Sequence, residues 1–227
     1  MSLLVPPEHA AILKKWLELP SEEAEKFSSA LAKAKPHFNA EELARAIVPH
    51  CDLAPELVIG IVQVLISVYR TGEPEKPFET FLDRDAKPSL TRAKVFSDGK
   101  EEEEWVRLRK FLLRTLLLEG TVGATAKAGP ILTEHERVYE SVRVMTDFRP
   151  IFHVDVSDQP DAGLIIHMLK ITHRDKYQRK FDAYYALDSN DVAKMKGVLD
   201  RALEKENALR KTMEKAGLTV LDVKSYY

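Results

Sequence analysis

Hydrophobic residues in this chain recur at two different periods, and the change falls near residue 130. Up to about residue 120 they return every three to four positions, the helical period. Ile12, Leu13, Trp16 and Leu17 form one such group, ended by Pro20. Ala24, Phe27, Leu31 and Ala34 form a second, with Ser21 placed to cap it and Pro36 to stop it. Asn39 followed by Glu42 has capping-box spacing and opens a third helix through Leu43 and Ile47. From Leu57 to Val68 the chain is apolar nearly all round, which predicts a buried helix with Pro55 in its first turn and Gly72 as its cap. At about a dozen residues this run is well short of the roughly 20 that a membrane span needs. Phe78 to Leu82 predicts a short helical turn. Glu101 to Glu119 predicts a longer helix with the stripe Trp105, Leu108, Leu112, Thr115 and Leu116, ended by Gly120. Its run of glutamates lies in the first turn, where carboxylates favour the positive end of the helix dipole.

Residues 121–130, TVGATAKAGP, are small and weakly polar and read as a flexible linker between a helical domain, 1–120, and a second domain, 131–227. Beyond the linker the period becomes two. Val138 to Val154 places Val142, Val144, Phe148 and Phe152 on one parity and Arg143, Asp147, Arg149 and His153 on the other. Leu164 to His173 is apolar at nearly every position. Tyr177 to Leu187 alternates cleanly, with Phe181, Ala183, Tyr185 and Leu187 opposed to Gln178, Lys180 and Asp182. The connections are short and rich in turn formers, so the three strands are predicted to be adjacent and antiparallel. Asp188-Ser189 then caps a long helix to about Ala216, with Gly217 at its end. Val192, Met195, Leu199, Ala202, Glu206, Leu209, Met213 and Ala216 fall on it at heptad spacing. The expected fold class is α+β: an all-helical bundle, then a three-stranded antiparallel sheet with one long C-terminal helix.

This arrangement has an apolar surplus. One helix covers only one face of a three-stranded sheet and overhangs its end, yet the first two strands carry apolar residues on both faces. Either the N-terminal helices cover the second face or another copy of the chain does, and the overhanging heptad helix favours another copy. The residues expected at that contact are Met145, Ile151, Leu164, Ile166, Met168, Leu209 and Met213.

Composition narrows the rest. Over 227 residues, 34 basic side chains against 36 acidic ones leave a net charge of −2, which argues against bulk attraction to nucleic acid or anionic lipid. A single cysteine, Cys51, forms no internal disulfide and fits a reducing, cytoplasmic compartment; the first residues carry no signal-peptide pattern. Among seven histidines, His153, His167 and His173 with Asp155 form the best metal cluster, but no tight zinc spacing is present. His50-Cys51 juxtaposes a base and a thiol, with no orienting residue identifiable. No nucleophile elbow, P-loop or dinucleotide fingerprint occurs, so neither a catalytic residue nor a cofactor is expected. Arg174 to Lys180, through Lys176, Tyr177 and Arg179, mixes basic and aromatic residues as sheet-based RNA readers do.

The expectation is therefore a non-enzymatic, homodimerising assembly or adaptor protein, partnered by itself and by other proteins. RNA binding through Arg174–Lys180 is the alternative, and a metal protein or enzyme around His153 and His167 the second. In layout, the three strands and helix from about Val138 to Ala216, behind a small helical bundle, resemble the COMM-domain family. The segments FRPIF at 148–152 and ALDSNDVAKMKGVLDRA at 186–202 sit where that module has its first strand and its helix start. A tryptophan in the first strand is lacking, since the only two are Trp16 and Trp105. The resemblance implies a dimerising module in a trafficking or regulatory scaffold. The stretch from Met145 to Glu206 is also similar to uncharacterised bacterial proteins, which implies no activity.

Overall fold

A computed structural model describes residues 4–72, 77–175 and 177–221, without the side chains of residues 132 and 133. The fold is α+β, and it divides into two compact units, one ending at Ile131 and the other beginning at Leu132. The first unit is helical: α1 Pro7–Glu18, α2 Ser21–Lys33, α3 Ala40–Ile47, α4 Pro55–Thr71, α5 Phe78–Phe81, α6 Lys87–Arg92, α7 Glu101–Leu116 and α8 Ala124–Thr133. Its core follows the stripes read from the sequence. α4 buries Val58, Ile61, Val62 and Leu65 at the centre, α7 buries Leu108 and Leu112 against it, and the Trp16 ring stacks on Phe111 with centroids 4.2 Å apart.

Local stop and start signals work in two ways here. Asn39 caps α3 as expected, its side chain accepting the Glu42 N–H, whereas Ser21 lies inside α2 and Pro20 takes the cap position without a side-chain bond. α7 begins at Glu101 with no side-chain cap, and three of its four leading glutamates secure the preceding segment. Glu104 accepts the Ser97 N–H at 2.7 Å, Glu101 the Thr91 hydroxyl at 2.6 Å, and Glu102 pairs with Lys87 at 2.6 Å.

The segment 121–130 is not a flexible linker. A π-helical turn at Glu119–Gly123 leads into α8, and Thr121, Val122, Thr125 and Ala126 are buried. Its small residues serve close approach rather than freedom: a Cβ on Gly123 would lie 2.9 Å from the Tyr69 hydroxyl, and one on Gly129 3.1 Å from the Arg70 guanidinium. Four long-range bonds fasten it to the helices. Tyr69 donates to Glu119 at 2.8 Å, Arg70 Nε to the Ala126 carbonyl at 2.8 Å, Thr121 Oγ1 to the Ala34 carbonyl at 2.8 Å, and the His37 N–H donates to Thr125 Oγ1 at 3.1 Å. The exposed stretch outside any helix or strand is instead Glu134–Glu136, just past the boundary between the units. A glutamate-specific protease is expected to cleave first at Glu134 or Glu136, leaving residues 121–130 attached to the resistant N-terminal fragment. Mass spectrometry of the fragments checks this, and early cuts at Glu119 would contradict it.

The second unit is a meander of β1 Arg137–Ile151, β2 Ala162–Asp175 and β3 Lys180–Leu187, in the order β1-β2-β3 and antiparallel throughout, followed by α9 Ser189–Lys215. Asp188 caps α9 with a full capping box, accepting the Asp191 N–H while the Asp191 side chain accepts the Asp188 N–H. The boundaries agree closely with the alternation in the sequence, because period-two patterning and flanking turn formers are strong strand signals.

Candidate self-association surface

Residues directly opposite one another in an antiparallel sheet share a face, so the register assigns every side chain. One face carries Val142, Val144 and Phe148 from β1, Ile165, Leu169 and Ile171 from β2, and Phe181, Ala183 and Tyr185 from β3. From the Tyr139–His173–Phe181 row to the Pro150–Gly163 row, this face holds no Asp, Glu, Lys or Arg. The opposite face alternates apolar and charged groups: Met145, Leu164, Ile166 and Met168 stand among Arg143, Asp147, Arg149 and Lys170.

The charge-free face is open. Phe148 is 65% exposed, Ile165 59% and Tyr185 50%. Gly163 makes room on it for the Phe148 ring, because a Cβ at residue 163 would collide with that ring. His167 sits mid-face, its Nδ1 2.9 Å from Thr146 Oγ1 and its Nε2 3.5 Å from Ser189 Oγ at the start of α9. The expectation that α9 would cover one face of its own sheet fails. It meets β2 and β3 sparsely, and none of its described residues is buried. The apolar stripe Val192, Met195, Leu199 and Leu209 stays open, with Leu199 at 61%. Among the described residues of this unit, Leu169 alone is buried.

Of the contact residues read from the sequence, Met145, Ile166 and Met168 are half-buried on the mixed face, where Ile151 and Leu164 are exposed; Leu209 is exposed on α9 and Met213 half-buried. A helix lying on the charge-free face would leave the mixed face as the one needing a partner, and α9 does not lie on it. The signal was present in the parity of Val142, Val144 and Phe148 together with that of Phe181 and Tyr185, none of them interrupted by a charge.

The alternative sites come apart. The basic residues of the hairpin are held by carboxylates: Arg174 Nε lies 2.7 Å from Glu140, Lys180 binds the same carboxylate, and Arg179 lies 2.7 Å from Asp175. Lys176 lies outside the described residues. With Arg174 first and Lys180 second, these hydrogen bonds pull the Glu140 carboxyl down to about 2. A carboxylate with a depressed folded value stabilises the fold fully above its unfolded value, and loses that contribution as pH falls through the depressed one. Its contribution to stability is therefore expected to be whole at pH 5 and to fade between the ordinary 4.5 and about 2, while in the folded protein the clamp opens only as pH nears about 2. Carbon-detected NMR titration of Glu140 checks this, and an Arg174→Met variant should move the midpoint upward.

His153 Nε2 lies 3.2 Å from Asp161 in the β1–β2 connection, whereas His173 stacks on Phe181 with centroids 5.9 Å apart. No three His, Cys, Asp or Glu side chains among the described residues are grouped to hold a metal. Cys51 donates weakly to the Ile47 carbonyl at 3.5 Å, and burial pushes its thiol up, the reverse of an activated nucleophile. Among the described residues no helix is long and apolar enough to cross a membrane.

No family model matches the chain, and no curated protein is similar enough to count as a relative.

Proposed function

We propose that this chain is a non-enzymatic assembly or adaptor protein whose C-terminal unit closes its core against a second copy of itself. The observation that carries the reading is that Leu169 alone is buried among the described residues of a unit with three strands and a 27-residue helix. A sheet face without charges and an apolar helix stripe, both open, are complementary halves of one core. In a two-fold dimer the stripe of each copy covers the sheet of the other, and both contacts form at once.

The β-β-β-α order behind a helical bundle is also the layout of the COMM-domain family, whose module dimerises, and a scaffold role follows from that likeness. The paired state of Arg174, Arg179 and Lys180 weighs against RNA as the partner, because those cations are already neutralised. One free cysteine fits a reducing cytoplasm. Sedimentation velocity at micromolar concentration tests the proposal: a dimer is expected, and a chain that stays monomeric at high concentration would refute it.

A further inference from the structure

In the N-terminal unit, α2 and the end of α3 enclose a cleft of about 740 Å³, within the range of small-molecule sites. Ala30, Ala34, Ala46 and Ile47 line it with apolar surface, and its other lining includes Lys26, Lys33, Lys35, His37 and His50 together with Glu22 and Glu25. The carboxylates nearby are already committed. Glu22 and Asp52 both hold Lys26, at 3.0 and 2.9 Å, and Glu25 holds Arg114 at 2.6 Å. Lys33 and Lys35 have no ion-pair partner among the described residues, unlike the basic groups of the sheet hairpin.

The loop bearing Lys35 and His37 is held in place. The buried Thr121 hydroxyl donates to the Ala34 carbonyl and the buried Thr125 hydroxyl accepts the His37 N–H. The Ala34 N–H in turn donates to the carbonyls of Ala30 and Leu31, so the carbonyls that end α2 are partly occupied. Two buried hydroxyls thus fix a loop whose Lys35 and His37 line the cleft.

We infer that this cleft binds a small, multiply charged anion, with phosphate or carboxylate groups on Lys33, Lys35 and the histidines and an apolar body against the alanines. The site lies within one unit and does not depend on dimerisation.

Isothermal titration of the full-length protein with pyrophosphate and with citrate tests it and separates the two anion chemistries. At least one is expected to bind, with affinity falling as salt rises. Lys33→Glu/Lys35→Glu should weaken binding about tenfold or more, while Lys33→Arg/Lys35→Arg retains it. Both lysines are exposed, so circular dichroism of the charge-reversed protein should match wild type. Thr125→Val, which removes the anchor but no charge, should weaken binding less. No binding of either anion at millimolar concentration, or equal binding by the charge-reversed variant, would overturn the proposal. So would capture of an acidic peptide where neither small anion binds, which would assign the cleft to a protein partner.

Discussion

In the proposed dimer, Phe148→Asp is expected to shift the protein to monomers while leaving the helical unit folded. The ring is 65% exposed in the single chain, so replacing it costs that chain little. In the proposed dimer the same position lies in a charge-free contact, where an unpaired carboxylate costs several kcal/mol. At about 4 kcal/mol the dissociation constant rises roughly a thousandfold, and sedimentation at micromolar concentration would find monomer. Leu199→Asp should do the same from the helix side, since the stripe and the sheet face are two halves of one contact. Ile166→Asp separates the faces. It stands on the mixed side of the sheet with Met145 and Met168, and it should leave association largely intact if the charge-free face is the one that closes. Dissociation by Ile166→Asp alone would place the contact on the mixed face. Dimers surviving both Phe148→Asp and Leu199→Asp would remove the basis of the functional reading.

Leu108→Ala is expected to have the largest effect on the helical unit. Leu108 is fully buried on α7 amid the core that α4 centres. Truncation removes apolar contact and leaves a cavity, about 3 kcal/mol in an interior this closely packed. For a unit of this size that lowers its unfolding midpoint by about 10 °C. Thermal melts followed by circular dichroism would measure it. A shift of only a degree or two would mean that the core around α7 collapses to fill the space.

The helices and strands were legible because their patterns are local. Leu57 to Val68 is apolar on every side, and only a central helix can use it. Phe181, Ala183, Tyr185 and Leu187 alternate so regularly that the strand follows directly, while its register comes only from the structure. Two errors had physical causes of different kinds. Small residues at 121–130 serve both flexible links and close packing, and the sequence alone does not distinguish them; Gly123 against Tyr69 and Gly129 against Arg70 decide for packing. The second error concerned α9. Heptad spacing announces that a helix has an apolar stripe but not which sheet that stripe will meet, because covering its own or a copy's leaves the same pattern. The cleft beside α2 has no signature in the sequence for a related reason: Lys33, Lys35 and His50 line it together only because the fold brings the end of α3 to α2, and the same fold commits Glu22 and Glu25 to Lys26 and Arg114.

That Leu169 is the one side chain hidden from water among the described residues of the C-terminal unit bears on how the protein is made. If, as proposed, this unit closes its hydrophobic interior against a second copy, it folds in a bimolecular step and its yield depends on how many copies are present. At low abundance a newly made chain would hold a finished helical half and an unfinished sheet, with Val144, Phe148 and Ile165 open to chaperones and proteases. The cell's level of this protein would then be set by assembly, and chains without a mate would be the short-lived ones.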